Sequence, residues 1–142
     1  MLALVIIPIL VALCAQLLKL IFDGIPNNVG WQPMITNYGG MPSSHTAYVA
    51  SLITVVALSD GINSSAFAVA IVLAAVVIRD AVGFRQEIGK NAVVTNALAQ
   101  QIFGAKAELL TEQVGHTIPQ VIVGALVGIC LGIIFYGLWF WL

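Results

Sequence analysis

Apolar residues gather into four long runs separated by two polar stretches, and the runs predict the helices of a membrane bundle. The first run extends from Leu2 to about Phe22 and is interrupted only by Gln16 and Lys19. The second, about Ser44 to Ser59, and the third, about Ser65 to Ile78, are joined by the polar turn Asp60-Gly61-Ile62-Asn63-Ser64. The fourth runs from about Ile118 to Leu142. A crossing helix needs about 20 mainly apolar residues. The first and fourth runs meet that length, whereas the middle two are short and are expected to extend into their flanks or to tilt little. The first run lacks a basic leader and a small-residue cleavage site, so it predicts a retained span rather than a signal peptide. Tyr136, Trp139, Phe140 and Trp141 close the fourth run as an aromatic belt at one membrane surface.

Neither polar stretch is apolar enough to cross a bilayer. Residues 23 to 43, with Pro26, Asn27, Asn28, Gly30, Pro33, Asn37, Gly39 and Gly40, are loop by composition. In residues 86 to 115, Val93, Val94, Ala97, Leu98, Gln101 and Ile102 fall near helical spacing beside Lys90, Asn91, Asn96 and Gln100. That pattern predicts an amphipathic helix lying at the interface. With no internal repeat or linker, residues 1 to 142 read as a single domain. The fold class expected is all-α, an integral membrane helical bundle of about four transmembrane helices plus an interfacial amphipathic helix.

Composition agrees with a lipid solvent: the chain is 61% hydrophobic and only 8% charged, with a mean hydropathy of +1.06. Five Lys/Arg and a formal net charge of -1 leave no basic patch able to neutralise a run of nucleic-acid phosphates, so DNA and RNA partners are excluded. Cys14 and Cys130 each lie inside an apolar run and read as packing residues.

Counting crossings places the polar groups. An even number of spans returns the chain to the same face, so the end of the first run near Lys19, the start of the second at His45, the end of the third near Arg79 and Asp80, and the start of the fourth at His116 share one face. On it collect both histidines and all five basic residues, Lys19, Arg79, Arg85, Lys90 and Lys106. Two readings of this asymmetry are compatible. By the positive-inside rule the basic face is cytoplasmic, which puts the site on the cytoplasmic side of a plasma membrane of bacterial type. By chemistry, Arg and Lys on one face hold a phosphate or carboxylate.

The two histidines sit alike, each where a polar loop turns into an apolar helix. Ser43 or Ser44 is a good N-cap, so free backbone N–H groups and the positive helix end lie beside His45, where an anion is favoured. His116 is followed at four-residue intervals by Gln120, Gly124, Gly128 and Gly132, a stripe that permits close helix approach and predicts an inward face. For either histidine alone an ordinary helix entry accounts equally well. The pair on one face points to a site. Glycine-rich faces on short helices also allow a homodimer.

The blocks Gly40-Met41-Pro42-Ser43-Ser44-His45, Arg79-Asp80-Ala81-Val82-Gly83-Phe84-Arg85 and Gly89-Lys90, with a last helix opened by Gly115-His116, resemble the type 2 phosphatidic acid phosphatase and vanadium haloperoxidase superfamily. The likeness is greater to its small, divergent membrane branch. The resemblance implies that His116 is a nucleophile forming a phosphohistidine and His45 the general acid, with no metal and no cofactor. It implies a phosphorylated lipid, of isoprenoid or diacylglycerol type, as substrate among the membrane lipids. Lys19, Arg85, Lys90, Ser44 and Arg79 are then the candidate phosphate ligands.

Several superfamily positions are occupied differently here. Pro26 stands seven places after Lys19 without an Arg beside it, Leu110 replaces an Arg six before His116, and Gln120 replaces an Asp four after it. Asp80 is the candidate substitute for orienting a histidine, with Glu112 a second, while Arg85 and Lys90 are candidate replacement cations. A plain salt bridge from Asp80 to a neighbouring Arg is the competing account. Two further readings stay open: a non-enzymatic lipid-phosphate binding or transport protein, and a metal site built from His45, His116 and Asp80.

Overall fold

The computed structural model describes residues 2–22, 40–112 and 114–141. The described residues form an all-α membrane helical bundle. Helix α1 is Leu2–Phe22, α2 Ser44–Ser59, α3 Ser65–Arg79, α4 Arg85–Phe103 and α5 Ile118–Trp141. A π-helical turn, Asp80–Phe84, joins α3 to α4, and a 3-10 turn, Gly104–Lys106, ends α4. Of the loop predicted over 23 to 43, residues 23–39 lie outside the described residues.

Helix α2 is the centre, packed between α1, α3 and α5. At 16 residues it spans about 24 Å, short of a hydrocarbon core of about 30 Å. Being covered on several sides, it buries Thr46, Ala47, Val49, Ala50, Ser51, Val55 and Val56 rather than a single stripe. Small residues there let its neighbours approach. Helix α1 contributes the stripe Ala3, Ile7, Val11 and Ala15, repeating every four residues, and Lys19 continues the same stripe. The register that buries the core therefore also buries Lys19, which is only 3% exposed.

The glycine stripe of α5 faces the bundle as its spacing predicts. Gly124, Gly128 and Gly132 are buried against Ser43, Ala47 and Ser51, two matched four-residue stripes that place the helices side by side. A Cβ at Gly124 would stand 2.6 Å from the Ser43 carbonyl oxygen, and one at Gly128 would run into the Ala47 carbonyl. At the far end the Tyr136 hydroxyl donates to the Leu58 carbonyl at 3.2 Å. These contacts run in step along both chains, so α2 and α5 are parallel and begin at the same end. Gly128→Ala is expected to destabilise the bundle by about 1–3 kcal/mol through overpacking. Gly137→Ala, where an added Cβ meets nothing within 4 Å, should leave unfolding in detergent unchanged.

The outer surface is apolar, with Leu2, Val5, Leu13, Leu17, Val69, Val72 and Ile122 all exposed. That is the surface of a protein solvated by lipid. Trp139, Phe140 and Trp141 are exposed at the end of α5, where the aromatic belt was expected. Cys130 also faces outward, so it is not the packing residue that its apolar surroundings predict, and Cys14 is half-buried.

The third apolar run differs most from expectation. It does not stop near Ile78 but continues through the π turn and α4 as one helical segment, Ser65–Lys106, of 42 residues. Arg79, Asp80 and Arg85 end the hydropathy without ending the helix, because helix formation does not require apolar side chains and Arg is among the better helix formers. The stop comes at Gly104, whose φ of 59° a residue with a Cβ adopts at a cost. Beyond the 3-10 turn, residues 107–112 and 114–117 are not helical.

Candidate functional site

Lys19, His45, Asp80, Arg85 and His116 converge at the end of the bundle where α2 and α5 begin. Ser43 caps α2, its Oγ accepting from the Thr46 N–H at 3.4 Å and from the Thr46 hydroxyl at 2.9 Å. Its own N–H donates to the Gln120 carbonyl at 3.3 Å. The cap of the helix that bears His45 is thereby tied to the first turn of the helix that follows His116. His45, on the first turn of α2, is exposed, and the charges of Arg85, Lys19 and Asp80 act on its ring.

His116 is 3% exposed, and its Nδ1 is buried with no hydrogen-bond partner among the described residues. Burial first, then the charges of Lys19, His45 and Arg85, push its pKa down to about 4, against a hydrogen bond with the Gln120 side chain that pulls it upward. At neutral pH the ring is therefore uncharged. The Gln120 side-chain oxygen also accepts from the Thr117 N–H at 2.8 Å, which fixes its position beside the ring.

Asp80 bonds neither histidine. Its Oδ2 accepts from Arg85 Nε at 2.7 Å, the salt bridge that competed with the orienting role in the sequence. The carboxylate thus aims the Arg85 guanidinium and tempers its charge. Glu112 does not lie one helical turn before His116, because residues 112 and 114–116 are not helical. Its Oε1 accepts from Asn96 Nδ2 at 2.8 Å instead. Ser44 lies half-buried on the first turn of α2, next to His45. Two candidate cations lie elsewhere. Arg79 is exposed, and Lys90 pairs with Glu87 at 2.6 Å on the exposed side of α4. Neither is among the charges that act on the histidines.

The sequence reading missed what holds His116. Residues 110–112 and 114–116 form a non-helical strap held along α4. Asn96, 4% exposed, donates to the Leu110 carbonyl at 2.9 Å and accepts from its N–H at 2.8 Å. Gly89 has no room for a side chain, since a Cβ there would stand 2.6 Å from the Glu112 carbonyl oxygen. Gln86 Nε2 donates to the His116 carbonyl at 2.8 Å, and the His116 N–H donates to the Ala81 carbonyl at 3.0 Å. The one trace in the sequence was the pair Gly89 and Gly115, each now seen to allow close backbone approach.

A groove of about 310 Å³ runs between α1 and α2 to His45. Ile9, Ala12 and Leu13 line its apolar part, and Gln16, Ser44, His45 and Tyr48 its polar end. Among the described residues no three His, Cys, Asp or Glu side chains come together as a metal-binding group.

The fold is that of an integral membrane helical bundle, with two histidines, Lys19 and Arg85 gathered at one end. The family described as the Divergent PAP2 family matches residues 2–131, and the chain belongs to it. It is also 35% identical over 135 residues to the uncharacterized membrane protein YuiD of Bacillus subtilis (strain 168), covering 84% of this chain and 85% of that protein. No solved structure matches the chain.

Proposed function

We propose that this protein hydrolyses a lipid phosphate monoester or pyrophosphate, of isoprenoid or diacylglycerol type, at the membrane interface through a phosphohistidine. One observation carries the reading: a buried His116 whose ring Nδ1 has no hydrogen-bond partner among the described residues, set beside Lys19, Arg85 and His45. A neutral imidazole has the lone pair that a nucleophile needs. The surrounding cations suit the oxygens of a transferring phosphoryl group.

In the first step His116 attacks phosphorus, the bond to the lipid oxygen breaks, and His45 supplies the proton that the leaving oxygen takes up. In the second, water attacks the phosphohistidine while His45 accepts its proton, which releases inorganic phosphate and restores both rings. Arg85, aimed by Asp80, and Lys19 hold the phosphoryl oxygens, and the groove beside His45 holds the lipid chain. The family membership supports a phosphatase-related role for lipid phosphates. The basic cluster supports a cytoplasmic site by the positive-inside rule.

A non-enzymatic lipid-phosphate binder or transport protein is the second reading. It is favoured by the pairing of Asp80 with Arg85, which leaves the carboxylate nearest the site bonded to a cation rather than to an imidazole. The two separate on purified protein given prenyl, diacyl and single-acyl phosphates, with and without chelator. Chelator-resistant phosphate release is the expected result. Saturable headgroup binding with no release from any of them identifies the binder.

A further inference from the structure

We propose that the π-helical turn Asp80–Phe84 and Gln86 together form a positioning device for His116, gripping its backbone from both sides. The inference rests on reading His116 as the reacting group of the phosphate site.

The turn changes which carbonyl is available. In an α-helix the Arg85 N–H would bond to the carbonyl four residues back, that of Ala81. Here it bonds to Asp80, five residues back, as a π turn requires. The Ala81 carbonyl is thereby released from the helix ladder. Ala81 is 2% exposed, and a buried carbonyl needs a donor. The donor is the backbone N–H of His116, at 3.0 Å. One turn further on, Gln86 donates to the His116 carbonyl at 2.8 Å.

Both polar groups flanking the His116 Cα are thus held by a single helix, which fixes the direction of its side chain. The grip is needed because the described residues of this segment, 107–112 and 114–117, are not helical. Gly115 makes it possible: its φ is 99°, and a Cβ there would stand 2.8 Å from the Gln86 backbone nitrogen. Gly83, by contrast, faces open space, so the π turn is not imposed by a packing contact at that position. A π turn at a functional site is a recurring use of this rare element.

The test uses the full chain in detergent, labelled on the histidine rings, which gives signals from two residues only. Gln86→Met and Gln86→Glu keep the side-chain length and remove the donor. In both variants the His116 ring signals are expected to shift and its titration to move from about 4 towards the ordinary 6.5, while His45 keeps its signals. With a lipid phosphate, kcat falls roughly 10–100-fold and KM stays within about twofold, the signature of a misplaced reacting group. Gln100→Met, exposed on the same helix, changes neither. His116 signals and kcat equal to wild type in both Gln86 variants would overturn the proposal. So would fast exchange of the His116 amide in the wild type, a measurement that needs no variant. If the wild type releases no phosphate from any lipid, the phosphatase reading falls, and the ring signals and amide exchange still decide the positioning.

Discussion

His116→Ala is expected to lower lipid-phosphate turnover by roughly three orders of magnitude or more, the scale on which an enzyme loses rate when its nucleophile goes and its binding groups remain. The variant should stay folded. The strap is held through the N–H and carbonyl of residue 116 and through Asn96, none of which depends on the imidazole. Lys19, Arg85 and His45 remain to hold the phosphate, so binding of a substrate lipid should survive within a few-fold while release stops. Loss of turnover together with loss of binding would point to collapse of the site rather than to removal of a nucleophile. Phosphate release measured beside equilibrium binding of the same lipid separates the two.

Lys19→Met is expected to reduce kcat by roughly 10²–10³-fold, the usual effect of deleting one group that stabilises transition-state charge in a dry site. It should also change the pH profile. The His116 pKa is pushed down to about 4, with Lys19 second only to burial among the causes. Where the nucleophile must be unprotonated, wild-type kcat/KM then holds as pH falls and declines only near 4. In Lys19→Met that decline moves upward towards 6.5, because one charge opposing protonation is gone. Stability follows the same sign. Between about 6.5 and about 4 the unfolded chain takes up a proton that folded His116 refuses, so the contribution present above 6.5 is lost progressively over that window. Activity profiles from pH 4 to 8 for both proteins check the shift, and an acid limb that stays in place in Lys19→Met would contradict it.

Much of the architecture is legible in the residues because a bilayer imposes simple rules. Length and hydropathy locate α1, α2 and α5, and the parity of crossings anticipates that Lys19, His45, Asp80 with Arg85, and His116 come near one another. The glycine spacing of α5 correctly names its buried face, since only small residues permit the approach to Ser43, Ala47 and Ser51. The end of α3 was not legible, because Arg79, Asp80 and Arg85 change hydropathy while leaving helix formation intact. The π turn was equally hidden: it is a one-residue change in hydrogen-bond partner that leaves no mark on composition.

Within the site, residue type indicated chemistry but not pairing. Arg79, Arg85 and Lys90 look equivalent along the chain, yet only Arg85 turns inward, and Asp80 secures it. Lys90 is taken by Glu87 one turn away on the solvated side of α4. The supports of His116, Gln86 and Asn96, lie in a stretch whose polar residues resemble any solvated helix face. Their role depends on a strap 14 to 30 residues further along the chain, which no local pattern reveals.

The central claim, that His116 carries the phosphoryl group, is tested most directly by mixing the purified protein with a ³²P-labelled lipid phosphate and quenching during turnover. The account predicts an acid-labile, alkali-stable label on the peptide containing residue 116, absent from His116→Ala. A wild-type protein that takes up no label and releases no phosphate from prenyl, diacyl or single-acyl phosphates would contradict it.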